Sequence, residues 1–238
     1  MKVIVNLKND NFFKIVNEAT GFTALDTILS RLFEVFKKNI SEFILFYRSD
    51  QNEALNKWTG NVDLNEMNYI SIPLKFIKVN EHSNILQNIL LLENHIWDSK
   101  ILIYDTDQLF KINHIHNFEV WFNKFIQRNN YSFEFVEDEF NDNKMLHTTY
   151  INNGCFNRVN GIEFIDDFNY RSLYKSLKIQ FNIEICYFNS GFDLIETARY
   201  ILNNNIHFNG EHPISQVYND LRMSSHIFSY EVDKMIKL

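Results

Sequence analysis

Glycine and proline are scarce in this chain, at 6 and 2 of 238 residues. The first glycine is Gly21, so no glycine-rich loop follows the opening apolar segment at residues 2–7. A phosphate cradle of the usual kind needs glycine there, because glycine takes positive φ without strain and lets the backbone approach an anion. Cysteine is as rare as proline. Cys155 and Cys186 form neither a disulfide framework nor a zinc pattern, and read as small buried residues. No apolar run approaches membrane-spanning length, and the start Met1-Lys2-Val3-Ile4-Val5-Asn6 turns polar too soon for a signal peptide. The expectation is a cytoplasmic protein with no membrane span. Basic blocks are missing as well. The net charge of −7 is spread along the chain without a Lys/Arg stripe, which argues against nucleic acid or an anionic membrane as the main partner. A nucleotide remains compatible, since it needs only a few local cations and backbone amides.

What is present suits one large α/β domain. With 45% hydrophobic residues in 238, the chain can fill a sizeable core. Residues 2–7, 43–47, 101–104 and 131–136 read as strands, and residues 69–79 as extended, with Pro73 tolerable near an edge. Helical spacing marks residues 22–36, 85–96 and 118–126, and Thr23 with Asp26 has the form of a capping box. This alternation implies a mixed, mostly parallel sheet flanked by helices. Beyond Asp138, strands are expected at 146–151, 158–165, 181–187 and 225–232. Helices are expected after Ser190 as far as Leu202 and over 213–221. No linker or repeat divides residues 1–238, so we expect a single domain, with 1–138 as a nucleotide-binding half and 139–238 as a substrate-side half.

The chemistry points to Lys100-Ile101-Leu102-Ile103-Tyr104-Asp105-Thr106-Asp107-Gln108-Leu109-Phe110. An aliphatic strand ends there in two carboxylates two residues apart. Ligands of open α/β sheets sit at the carboxyl ends of strands, and hard cations prefer oxygen ligands. Asp105 and Asp107 are therefore candidate ligands for Mg²⁺ or Mn²⁺, with a simple Asp-rich turn as the alternative. Other clusters read as ordinary. His114 and His116 sit among asparagines as solvated side chains. Glu137-Asp138-Glu139 with Asp142 lacks the ligand spacing and turn glycine of a calcium loop.

Several segments, in order, resemble bacterial sugar-phosphate nucleotidyltransferases of capsule and surface-polysaccharide clusters. Asp105-Thr106-Asp107-Gln108, followed by Asn117-Phe118-Glu119-Val120-Trp121, is similar to that family's Asn-Ser-Asp-Gln element and the helix after it. Phe76-Ile77-Lys78-Val79 and residues 83–93 occupy the place of its strand and following helix. Cys186-Tyr187-Phe188-Asn189-Ser190-Gly191-Phe192-Asp193 is similar to Tyr-Tyr-Phe-x-x-Gly-x-Asp. Asn209-Gly210-Glu211-His212-Pro213-Ile214-Ser215-Gln216-Val217-Tyr218-Asn219 is similar to Asn-Gly-Glu-Phe-Tyr-x-x-x-Val-Tyr-Asn. Tyr230-Glu231-Val232-Asp233-Lys234-Met235 is similar to Tyr-x-Val-Asp-Lys-Met.

The resemblance implies a nucleotide-diphospho-sugar transferase-like (GT-A type) α/β fold. It also implies metal-assisted transfer of a nucleotidyl group to a phosphorylated sugar. On that basis Asp107 is a metal ligand, Asp105 a second or supporting one, and Gln108 a partner for nucleotide or sugar hydroxyls. Glu163 falls near a sugar-binding Glu-Lys pair, although Phe164 replaces the lysine. The opening departs from the family's Gly-x-Gly-x-Arg and Pro-Lys: it reads Asn6-Leu7-Lys8-Asn9-Asp10-Asn11-Phe12-Phe13-Lys14, leaving Lys8 or Lys14 to supply charge. At the other end, Ile236-Lys237-Leu238 stands where the family continues into Gly-Thr-Pro-x-Asp. Partners implied are a nucleotide with a sugar phosphate, or a nucleotide-sugar; a homo-oligomer is compatible. Two alternatives stay open: a metal-dependent glycosyltransferase using a nucleotide-sugar, and a catalytically degenerate nucleotide- or sugar-binding relative.

Overall fold

The computed structural model describes residues 1–18, 21–61, 69, 71–106, 108–112, 115–128, 131–137, 146–151, 159–165, 179–207, 212, 214, 216–221, 226–232 and 234–237. In chain order the elements are β1 (Lys2–Asn6), β2 (Ile15–Asn17), β3 (Phe22–Thr23), α1 (Ala24–Phe36), β4 (Glu42–Tyr47), α2 (Asn52–Asn61) and β5 (Leu74–Lys78). Next come α3 (Ile85–Leu90), α4 (Glu93–Ile96), β6 (Ile101–Tyr104), β7 (Gln108–Lys111), α5 (Ile115–Phe125) and β8 (Tyr131–Glu137). The second half adds β9 (Leu146–Ile151), β10 (Val159–Ile165), β11 (Ile179–Phe188), α6 (Gly191–Asn203), α7 (Gln216–Leu221), β12 (His226–Glu231) and β13 (Lys234–Lys237).

Among the described residues, nine strands form one mixed sheet along the path β10-β9-β11-β6-β1-β4-β5, with β8 on β11 and β12 on β8. From β5 to β6 every pairing is parallel. Beyond β6 the sheet turns antiparallel, except where β12 joins β8. Both faces are covered, so the central strands are continuously apolar, as buried parallel strands must be. Alternation sends Val3, Val5, Phe43, Leu45, Leu102 and Tyr104 to a core shared with α1, α2 and α5. Ile4, Ile44, Phe46, Ile101 and Ile103 face a second core under α3, α4, α6 and α7. Aromatic rings dominate the first core: Phe36 meets Phe118, Phe122 and Phe135 edge-on, the geometry that ring quadrupoles favour.

The capping box that opens α1 forms as expected. Asp26 Oδ2 accepts from the Thr23 N–H at 2.8 Å, and the Asp26 N–H donates to Thr23 Oγ1 at 3.2 Å. Asp26 has a second task that the motif does not reveal. It is buried, and its Oδ1 accepts from Trp58 Nε1 and from the Tyr69 hydroxyl, each at 2.9 Å. The first of these bonds anchors α2, a helix in a stretch whose polar composition reads as a connection. Among its described side chains, Leu55 and Trp58, one turn apart, carry the buried face.

Other boundaries differ from expectation for tertiary reasons. The helix expected over 85–96 divides at Leu92 (φ −98°, ψ 4°), which buries Leu92 and Ile96 while Leu91 faces solvent. Residues 115–117 join α5, which puts His116 on an exposed helical face, whereas His114 lies outside the described residues. The strands β7 and β13 pair across the length of the chain, so local pattern could not reveal them. Cys186 is buried as expected; Cys155, Asp138, Glu139 and Asp142 fall outside the described residues.

Gly191 is one glycine the packing demands. Its N–H donates to the Ser99 carbonyl at 2.8 Å, and a Cβ there would lie 1.9 Å from the Ile96 carbonyl oxygen. Gly60, in α2, has open space around it. Gly191→Ala should therefore destabilise the fold by about 1–3 kcal/mol through overpacking. Gly60→Ala should be neutral or stabilising by about 0.5–1 kcal/mol, because the unfolded chain loses freedom. Urea unfolding of the two variants beside wild type measures both.

Candidate functional site

Because β1, β4 and β6 are parallel, their carboxyl ends share one edge of the sheet. Val5 registers with Tyr104 and Asn6 with Phe46, so the chain leaves β1 and β6 side by side. Asn6 Nδ2 donates to Asp105 Oδ1 at 2.7 Å. The Lys8 ammonium lies 3.4 Å from the same oxygen and donates to Glu184 Oε2 at 2.9 Å. In turn the Asp105 N–H donates to the Glu184 carbonyl at 2.9 Å. Two strand ends, those of β1 and β6, and the middle of β11 are thus joined through four side chains.

Glu184 reaches the site by an irregularity in β11. Between the pairs Asn182↔Val136 and Cys186↔Glu134, β11 advances four residues while β8 advances two. Within this bulge Glu184 has φ +61°, a left-handed conformation that costs a non-glycine residue free energy. Bulges and strained residues concentrate where a strand re-aims a side chain. The first part of β11 also runs past β6, since Ile185 is the partner of Tyr104. Residues 179–181, beyond that point, pair with β9, which pairs with β10. The antiparallel extension therefore stands beyond the ligand edge of the parallel sheet.

The residues singled out by sequence are distributed unevenly. Lys8 and Asp105 meet in this cluster, while Asp107 lies outside the described residues. Gln108 opens β7; its N–H donates to Thr106 Oγ1 at 3.3 Å, and its carbonyl accepts from the Tyr104 hydroxyl. Glu163 is on β10, three strand spacings from β6, or about 14 Å in the hydrogen-bonding direction. Asn6 and Glu184 were not singled out. Asn6 carries a faint signal, a polar residue ending an aliphatic strand as Asp105 does. Glu184 carries none, because it alternates with Ile183 and Ile185 like any strand glutamate.

Asp105, expected with Asp107 as a metal ligand, is engaged by other groups in this structure. Oδ1 of Asp105 already faces an ammonium and an amide donor, and the residue is 5% exposed. No group of three His, Cys, Asp or Glu side chains converges for a metal among the described residues. Through these contacts Asp105 ties the end of β1 to the end of β6. The glycine-free segment after β1 is a short ordered turn: Asp10–Phe13 form one 3-10 turn, Asn9 accepts from the Asn11 N–H at 2.8 Å, and Phe12 is buried.

Burial pushes the Asp105 carboxyl up to about 6; the Glu184 charge adds to this, and Lys8 and the Asn6 hydrogen bond oppose it. For Lys8, burial acts to lower the ammonium, but the pull of Asp105 and Glu184 prevails and the net direction is upward. An acid raised in the folded state contributes stability that is complete below its unfolded pKa and lost as pH rises through the folded one. Asp105→Asn removes that loss. The variant should fold, and its unfolding free energy relative to wild type should rise between pH 3.8 and about 6. Urea titrations across that window, with both proteins, measure the difference.

By sequence, no family model and no curated protein matches the chain. By structure, it is similar to a UDP-glucose pyrophosphorylase complexed with UDP-glucose, at TM-score 0.67 and 9% identity over 98% of this chain and 91% of that one. It is similar also to a candidate glucose-1-phosphate thymidylyltransferase from Bacillus anthracis in complex with sucrose, at TM-score 0.65 and 10% identity, covering 97% and 85%. A mannose-6-phosphate isomerase from Helicobacter pylori matches at TM-score 0.61 and 13% identity, covering 98% and 86%. At these identities the likeness is one of fold. The chain has the nucleotide-diphospho-sugar transferase fold, a mixed sheet flanked by helices, with Asn6, Lys8 and Asp105 at the carboxyl edge of its parallel strands.

Proposed function

We propose that this chain is a nucleotidyltransferase that uses a nucleoside triphosphate and a sugar phosphate, in capsule or surface-polysaccharide synthesis. The observation that carries this reading is the cluster Asn6-Lys8-Asp105 at the carboxyl edge of a parallel sheet, where open α/β folds bind their ligands. The likeness to a pyrophosphorylase crystallised with UDP-glucose supports the nucleotide-sugar class. The ordered resemblance of the Asp105-Thr106-Asp107-Gln108 and Tyr218-Asn219 segments supports the transfer reaction and the polysaccharide role.

In this reading the sugar phosphate oxygen attacks the α-phosphorus of the nucleotide and pyrophosphate leaves. Lys8 offsets part of the negative charge of the two reactants, and Asn6 holds Asp105 so that the ends of β1 and β6 keep their spacing. Gln108 supplies hydrogen bonds to hydroxyls. The β9–β10 extension, with Glu163, forms the sugar side. Of the two sequence-expected metal ligands, Asp107 is the one we propose for Mg²⁺ or Mn²⁺; a bound ion there would offset phosphate charge and orient the phosphates.

The experiment pairs a panel of nucleoside triphosphates with sugar 1-phosphates and follows pyrophosphate release with Mg²⁺ and Mn²⁺. A parallel assay follows nucleoside diphosphate release from nucleotide-sugars. Asp107→Asn should lower pyrophosphate release by about 100-fold or more, since charge stabilisation aimed at a transition state is of that size. Its thermal unfolding should match wild type, as the change keeps the side chain's size and removes only a charge. Diphosphate release without pyrophosphate release would assign glycosyl transfer instead, and silence in both assays would leave a binding protein.

A further inference from the structure

Two carboxylates of this chain converge on a single point, and a lysine already stands there. Lys8 Nζ is 3.4 Å from Asp105 Oδ1 and 2.9 Å from Glu184 Oε2. The convergence is built, since it depends on three separate elements. β1 aims Lys8 from the strand end, β6 places a nearly buried Asp105 beside it, and a bulge with positive φ turns Glu184 toward them. Asn6 holds the same Asp105 oxygen at 2.7 Å, so the carboxylate that meets the ammonium is fixed in orientation. An ammonium is a compact point charge on a flexible stem, able to fill the position of a small cation among oxygens.

We infer that Lys8 is the built-in cation of this site: its ammonium takes the place between Asp105 and Glu184 that a divalent ion would fill, and so closes this carboxylate pair to metals. A phosphate-bearing ligand entering along β1 then meets an ammonium in that position. Any divalent ion the ligand brings with it is held by groups other than Asp105. The absence of glycine between Leu7 and Thr20 is consistent with the same geometry. A position after the first strand that carries a lysine stem reaching back to two carboxylates cannot also be a bare backbone cradle. The ammonium has three N–H donors and two carboxylate acceptors among the described residues. The Lys8 side chain keeps 36% of its surface exposed, which leaves it accessible from the ligand edge.

The test uses Mn²⁺ alone, with no nucleotide or sugar, so its outcome is separate from that of the transfer assay. Mn²⁺ binding to the full chain is followed by electron paramagnetic resonance for wild type, Asp105→Asn, Glu184→Gln, Lys8→Ala and the double variant Lys8→Ala/Asp105→Asn. Wild-type Mn²⁺ binding, whatever its level, should be unaltered by Asp105→Asn or by Glu184→Gln. Lys8→Ala should gain one bound Mn²⁺ per chain, with affinity at least about ten-fold above any wild-type site, and the double variant should lose it. Wild-type Mn²⁺ binding weakened about ten-fold by Asp105→Asn or Glu184→Gln would overturn the inference, because the pair would then be a metal site already. A folded Lys8→Ala that gains no Mn²⁺ would overturn it too. If Lys8→Ala fails to fold, the comparison of wild type with the two single carboxylate variants still decides.

Discussion

β1 lies between β4 and β6 with both faces buried, and the whole ligand edge depends on its register with those two strands. Val3, Ile4 and Val5 have no exposed surface, and each such side chain contributes about 1.5–3 kcal/mol on burial. A slip of one residue would turn the Val3 and Val5 face toward the opposite core and move Asn6 away from Asp105. The packing that stabilises the sheet therefore also sets the 2.7 Å contact between Asn6 and Asp105 at its edge. Stability and site geometry share one cause.

β11 contributes in a different way. Its last residues are ordinary sheet, antiparallel to β6 and buried as Cys186, Tyr187 and Phe188. Its first residues leave β6 behind and carry β9 and β10 beyond the ligand edge. The bulge between the two parts holds Glu184 in a left-handed conformation that regular pairing would not permit. The local cost of order 1–3 kcal/mol is offset by the pairing on either side and by the Asp105 N–H that donates to the Glu184 carbonyl. One strand thus joins the parallel block to its antiparallel extension and delivers a carboxylate at the junction.

Sharing a fold leaves the reaction open, as the isomerase among the similar structures makes plain. The argument about activity belongs to particular side chains. Here the segment after β1 has no glycine until Gly21, and it is shaped by the Asn9 side chain, the buried Phe12 and the reach of Lys8. In the proposed reading such a segment would present a point charge to a ligand where a glycine loop would present backbone amides. That substitution is the largest chemical difference between this edge and the family pattern the sequence resembles.

The sequence by itself determined β1, α1, β4, β5, β6, α5 and β8, the α1 capping box, the buried aliphatic strands and the choice of edge. These follow from period-2 and period-3.6 patterns and from side chains that bond to their own backbone, all of them local. It also singled out Lys8 and Asp105 separately. Only the tertiary structure decided that they face each other, that Asn6 and Glu184 complete the group, and that Asp105 is held by an ammonium. A glutamate that alternates with isoleucines looks the same whether its strand is regular or bulged. Likewise α2 is held in place by Trp58 reaching a buried Asp26, and β7 and β13 form because they find each other across more than a hundred residues. Contacts at such separations leave no periodic trace, because each partner's residue type is set by a neighbour the local pattern never meets.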